Sequence, residues 1–107
     1  MVTEGLLVRL EAKPGHEQDV EQFLAGVMPY VEREPGTIAL FTLRLGPSSF
    51  GIFNAFPDEA GRQAHIAGDA AIGLSALAAQ ALASPPAVEP VDIIAAKLPG
   101  SRSAVEA

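Results

Sequence analysis

Residues 36–56 read GTIALFTLRLGPSSFGIFNAF, and the fold turns on how this stretch is read. Pro47-Ser48-Ser49 divides it into the two strands of a hairpin, and side chains along a strand point alternately to opposite faces. In the first strand Ile38 and Leu40 fall on one face, while Ala39, Phe41, Leu43 and Leu45 fall on the other. Both faces are apolar. A strand with one face in water alternates apolar with polar residues, so this hairpin needs two separate coverings. The helices of so small a chain can supply one, and a second copy of the protein is expected to supply the other.

The segments around the hairpin fit that picture. Residues 5–12 form a first strand, with Leu6, Val8, Leu10 and Ala12 on one face and Leu7, Arg9 and Glu11 on the other. Lys13-Pro14-Gly15 ends it. Val20, Phe23, Leu24, Val27, Met28 and Val31 then recur at spacings of three and four, the apolar stripe of a helix lying on a sheet. Acidic Glu17, Asp19 and Glu21 suit its first turns, and Pro29 is expected to kink it near its end. After the hairpin, Asp58 is the expected N-cap of a short helix running to about Ala67. A second helical segment carries Ile72, Leu74, Leu77, Ala78, Ala81 and Leu82. The last strand is expected over 88–97, with Val91-Asp92-Ile93-Ile94-Ala95-Ala96 at its heart and Pro90 marking an irregular start or an edge. The order β-α-β-β-α-β is ferredoxin-like, an antiparallel sheet with helices on one face. One domain over 1–98 and a polar tail over 99–107 are expected.

Composition narrows the functional classes. With 107 residues the chain is one domain, and a 49% hydrophobic content leaves apolar surface that must be covered. No uninterrupted apolar run approaches the roughly 18 residues of a membrane span, so oligomerisation is the expected outlet. Seven basic residues stand singly against thirteen acidic ones, for a formal charge of −6. No positive stripe exists to neutralise phosphates, and nucleic acid is not an expected partner. The absence of cysteine removes disulfides and thiolate chemistry and fits the cytoplasm. Abundant alanine, with arginine preferred over lysine, fits a bacterium with a GC-rich genome.

Two residues lead the search for chemistry. His65 has Gly61 and Gly68 on its own helix face, which would leave space beside the imidazole, and Asp69 could orient the ring. The competing reading is a surface histidine on a loose helix end. Asn54 shares a row with Phe50, Ile52 and Phe56, where a buried amide must find hydrogen-bond partners. It could orient a ligand or tie down the strand. Phe41, Phe53, Phe56 and Tyr30 are candidates to line an apolar pocket for a flat ligand, and Arg44 could meet an anionic group, although core packing or an interface ion pair explains each as well. His16, at a helix start, reads as a surface residue. A phosphate-binding loop, a zinc motif and a serine nucleophile elbow are all missing from the pattern, and no metal or cofactor is expected.

The chain also resembles the antibiotic biosynthesis monooxygenase family of dimeric α+β barrel proteins. The likeness runs over residues 6–98. It rests on Lys13-Pro14-Gly15, the amphipathic helix, Glu34-Pro35-Gly36-Thr37, and the run from Phe53-Asn54-Ala55-Phe56-Pro57-Asp58-Glu59-Ala60 to Ala64-His65-Ile66. The resemblance implies a ferredoxin-like protomer that pairs through its sheet face as a homodimer. It also implies a small aromatic or hydrophobic ligand, oxidised by molecular oxygen without a cofactor. His65 matches the frequent helix histidine, Phe56 stands where many relatives have tryptophan, and Asn54 where many have glutamate. The Trp, Asn and His of the haem-degrading branch have no counterparts here. On this reading His65 helps deprotonate a quinol or anthrone-like substrate, and Asn54 positions it or steadies developing oxyanion charge. The alternative from another class is a non-catalytic dimer that binds a small hydrophobic ligand or serves as a structural or regulatory partner.

Overall fold

A computed structural model describes residues 1–99, so nearly all of the expected tail lies outside the described residues. Four strands, β1 (Glu4–Glu11), β2 (Ala39–Arg44), β3 (Ser49–Phe56) and β4 (Ala87–Asp92), form one sheet in the order β2-β3-β1-β4. Every pairing is antiparallel. The helices are α1 (Glu17–Ala25), α2 (Met28–Val31), α3 (Glu59–Ile66) and α4 (Asp69–Ala81). This is the expected ferredoxin-like α+β architecture, with each helical segment divided in two.

Alternation in β1 organises the core. Leu6, Val8 and Leu10 are buried while Arg9 and Glu11 between and beyond them are exposed. They pack with Phe50, Ile52 and Phe56 of β3 and with Val20 and Leu24 of α1. Burying side chains of this size stabilises the fold by roughly 1.5–3 kcal/mol each. The opposite face of the sheet carries Phe41, Leu43 and Leu45, left 54%, 39% and 50% exposed. Phe41 pairs with Phe53 across the hairpin, and Phe53 with Leu7, so an apolar row crosses three strands. Toward β4 this face turns polar, where Arg9 and Glu89 lie 3.7 Å apart. The two apolar faces expected of the hairpin are therefore present, and the described helices cover one of them.

Two expected boundaries are corrected. The first helical segment breaks at Gly26, and Pro29 sits in the first turn of α2. Proline lacks an N–H, which costs nothing in a first turn, so it begins a new turn here instead of kinking an old one. In the second segment Ile72 is 65% exposed, so it does not belong to the packed stripe of α4. The last strand ends at Asp92, five residues before the expected end at Lys97. Its partner among the described residues, β1, begins opposite Asp92, and one further bond, from Ile93 N–H to the Thr3 carbonyl, ends the pairing. Ile94 lies beyond the ladder and is 90% exposed. Pro90 is tolerated because β4 is an edge strand, as its sequence suggests. Asp58 caps α3 as expected, accepting a 2.9 Å hydrogen bond from Gly61 N–H.

Candidate functional site

The covered face of the sheet is not completely filled. Ala70, Ala71, Ala78 and Ala79 of α4 are too small to reach the strands everywhere, and they border a cavity of about 680 Å³. Leu40, Ile52 and Val8 form its floor and Phe23 and Leu74 part of its helical wall. Its size lies within the usual range of small-ligand sites, roughly 300–1,000 Å³. Asn54 and His65 both line it. Strand alternation brings Asn54 to the helix side, paired with Leu40 on β2 and Leu6 on β1.

Asn54 is fully buried. Its Nδ2 donates a long bond of 3.5 Å to the Leu6 carbonyl, whereas its Oδ1 has no partner. Turning the amide over would set two oxygens against each other, so the bond to Leu6 selects the orientation in which Oδ1 is free. An unpaired buried acceptor is costly, by about 1–3 kcal/mol, unless something donates to it. The free atom suits a ligand hydroxyl. Developing negative charge would be repelled there, so the oxyanion role expected for Asn54 is not favoured in this rotamer.

His65 is 8% exposed in the last turn of α3, and its ring centroid is 5.6 Å from that of Phe56. Nδ1 lies 2.6 Å from Oε1 of Glu34, which also accepts from the Thr37 hydroxyl at 2.8 Å. An ionised carboxylate can only accept, so Nδ1 must carry the hydrogen of this contact. In the neutral imidazole Nε2 is then left as an acceptor. The orienting carboxylate is thus Glu34, and Asp69, the expected partner, is an exposed residue at the start of α4.

The glycines around His65 serve a different purpose from the one expected. A Cβ on Gly61 would lie 2.8 Å from the Gly36 carbonyl oxygen, and one on Gly36 would lie 2.9 Å from the Gly61 Cα. The two backbones touch. A Cβ on Gly68 would lie 2.8 Å from Glu34 Oε2. The glycines therefore seat the Glu34-Pro35-Gly36-Thr37 turn on α3 and make room for its carboxylate instead of leaving space for a ligand. Arg62 anchors the same helix from another side, donating to the Gly5 and Val91 carbonyls at 3.1 and 3.4 Å.

The other candidates are not brought to the cavity. Phe41 and Phe53 occupy the bare face of the sheet, because their parity is opposite to that of Leu40 and Asn54. Phe56 is completely buried beneath His65 and supports the ring without lining the space. Tyr30 is 48% exposed on α2 beneath the Arg33 guanidinium. Arg44 lies over the Phe50 ring at 4.7 Å and pairs with Glu21. His16, as expected, is a surface residue, bonded to Asp19 at 2.9 Å. Among the described residues no cluster of three or more side chains suited to a metal ion occurs, and no helix is long and apolar enough to cross a membrane.

This α+β fold has many structural counterparts. A proposed antibiotic biosynthesis monooxygenase of Nitrosomonas europaea superposes with a TM-score of 0.76 over 86% of this chain and 90% of its own, at 16% identity. One from Caulobacter crescentus CB15 gives 0.74 over 87% and 91%, at 17% identity. At such identities the likeness concerns the fold alone. NE2512 of Nitrosomonas europaea, a protein of unknown function, is 53% identical over 94% of this chain and 98% of its own, with a TM-score of 0.91. The chain belongs to the same family as NE2512. No established family profile matches it, and neither does any curated protein.

Proposed function

We propose that the protein is a cofactor-independent monooxygenase of the antibiotic biosynthesis type, acting on a quinol or polycyclic aromatic substrate with molecular oxygen. The unpaired Oδ1 of Asn54, buried in an apolar cavity that also holds a carboxylate-oriented histidine, carries this reading. Apolar walls suit a flat ring system, and the unpaired Oδ1 suits one hydroxyl on its rim. His65, with its Nδ1 hydrogen committed to Glu34, is suited to take a proton at Nε2. The resulting electron-rich anion reacts with oxygen. For a methylene between aromatic rings the balance is CH2 + O2 giving C=O + H2O. The substrate supplies all four electrons, one oxygen atom enters the new carbonyl, and the other leaves as water. Shared fold with proteins described as proposed antibiotic biosynthesis monooxygenases supports the same class.

On this reading the working unit is a homodimer joined through the bare sheet face, where Phe41, Leu43 and Leu45 would be covered. Such a join should bury roughly 1,200–2,000 Å² or more. Oxygen uptake by metal-stripped protein, screened against quinols and anthrones, tests the chemistry. Substrate-dependent uptake that is lost in His65→Ala is the expected result. Tight ligand binding with no oxygen consumption would favour a non-catalytic binding module instead.

A further inference from the structure

The donor and acceptor pattern of the cavity goes further than its shape. The Oδ1 of Asn54 is an acceptor without a partner, while one of the two hydrogens on its Nδ2 goes to the Leu6 carbonyl. Glu34 accepts the hydrogen on Nδ1 of His65, so the ring in its neutral form presents Nε2 as a second acceptor. Apolar side chains supply most of the remaining wall, with Ser75 and Ser84 its only other polar side chains among the described residues, so the selection is made at Asn54 and His65. A ligand that brings hydroxyl hydrogens satisfies this arrangement. The same skeleton bearing carbonyl or ether oxygens sets lone pair against lone pair.

Resting on the reading of the cavity as a small-ligand site, we infer that Asn54 is its specificity-determining residue and selects the hydroxylated form of an aromatic ligand over the carbonyl or ether form. Glu34 acts with it as a positioning residue, since it fixes which nitrogen of His65 is left to accept. The consequence for a quinol is directional. Oxidation by oxygen, quinol + O2 giving quinone + H2O2, turns each hydroxyl donor into a carbonyl acceptor, so the product loses its hold at the site that held the reactant. Neither the volume of the cavity nor its apolar walls would produce that asymmetry, because the two forms have nearly the same shape.

Equilibrium binding without oxygen separates this selectivity from turnover. The chain has no tryptophan, so the fluorescence of naphthyl probes can be followed directly. Wild-type protein should bind 2-naphthol about ten- to a hundredfold more tightly than 2-methoxynaphthalene, because the ether leaves Oδ1 buried without a donor. Naphthalene, which is smaller than either, should also bind more weakly than 2-naphthol, and this separates hydrogen bonding from bulk. In Asn54→Leu the preference for 2-naphthol should collapse to about twofold or less. Equal affinity of wild type for all three probes overturns the selectivity alone. Binding of none of them overturns the ligand-site reading and the selectivity with it. Should Asn54→Leu fail to fold, the three-probe comparison in wild type still decides.

Discussion

The two faces of the sheet are built from neighbouring residues of the same strands, yet they meet opposite demands. On the covered face Leu40, Ile52 and Asn54 look toward α4, whose alanines leave a space beside the buried, unpaired Oδ1 of Asn54. On the bare face Phe41, Leu43 and Phe53 are exposed or half-buried, with no described element over them and with polar residues toward β4. A concave apolar space with one aimed acceptor discriminates among small molecules by hydrogen bonding. A flat apolar row with a polar margin has no such means, and suits a broad surface of matching shape. Concavity and one buried polar atom distinguish the covered face from the bare one, although both are apolar.

Substitutions that touch one face and spare the other give this contrast a sharp test. The largest effect is expected from His65→Ala. Removing the base should lower turnover of an accepted quinol or anthrone about 10²–10⁴-fold, with the far-ultraviolet circular dichroism unchanged, and wild-type turnover would refute the assignment. Phe41→Asp should act on the other face, weakening self-association about a hundredfold or more by burying an unpaired charge. Sedimentation velocity reads this, and 2-naphthol affinity should be retained in the same variant. Glu34→Ala leaves the His65 Nδ1–H without its acceptor and should cost about 1–3 kcal/mol in chemical denaturation. Gly61→Ala drives a methyl against the Gly36 carbonyl oxygen and should cost a similar amount, about 1–3 kcal/mol, while also displacing Glu34 from His65. That displacement is visible as a changed His65 ring signal in NMR.

The smallest effect lies at the far end of the hairpin. Hydrogen bonds from the Ser48 and Ser49 hydroxyls hold the Glu11 carboxyl below its usual pKa. A depressed carboxyl contributes stability above its unfolded pKa and loses it as the pH falls through the folded value. Ser48→Ala should therefore raise the Glu11 pKa and flatten the acid limb of the stability curve, without altering either face of the sheet.

Much of the frame was legible in the sequence because it follows from local periodicity. Alternation at Leu6, Val8 and Leu10 marks a half-covered strand, and Asp58 before Glu59 marks a helix start. Apolar residues of both parities at Leu40 and Phe41 mark a hairpin with two apolar faces. The same parity, applied strictly, separates Phe41 and Phe53 from the Asn54 face, and by that rule neither belongs among the ligand contacts. What local pattern could not carry was Glu34. It meets His65 across 31 positions of sequence, through a backbone contact between Gly36 and Gly61 that no periodic rule anticipates. The glycines were visible as a signal, but their meaning depended on which turn packs against them. Likewise the end of β4 is set by the first residues of β1, its distant partner, and not by the apolar run Ile93-Ile94-Ala95-Ala96 itself.

One measurement bears on both faces at once. In an NMR titration of isotopically labelled protein with 2-naphthol, the largest shift changes are expected at the Asn54 side-chain amide, the His65 ring and the Ile52 and Leu40 methyls, with Leu43 and Phe53 unmoved. Changes centred on Phe41, Leu43 and Phe53, with Asn54 and His65 silent, would contradict the assignment of the covered face as the ligand site.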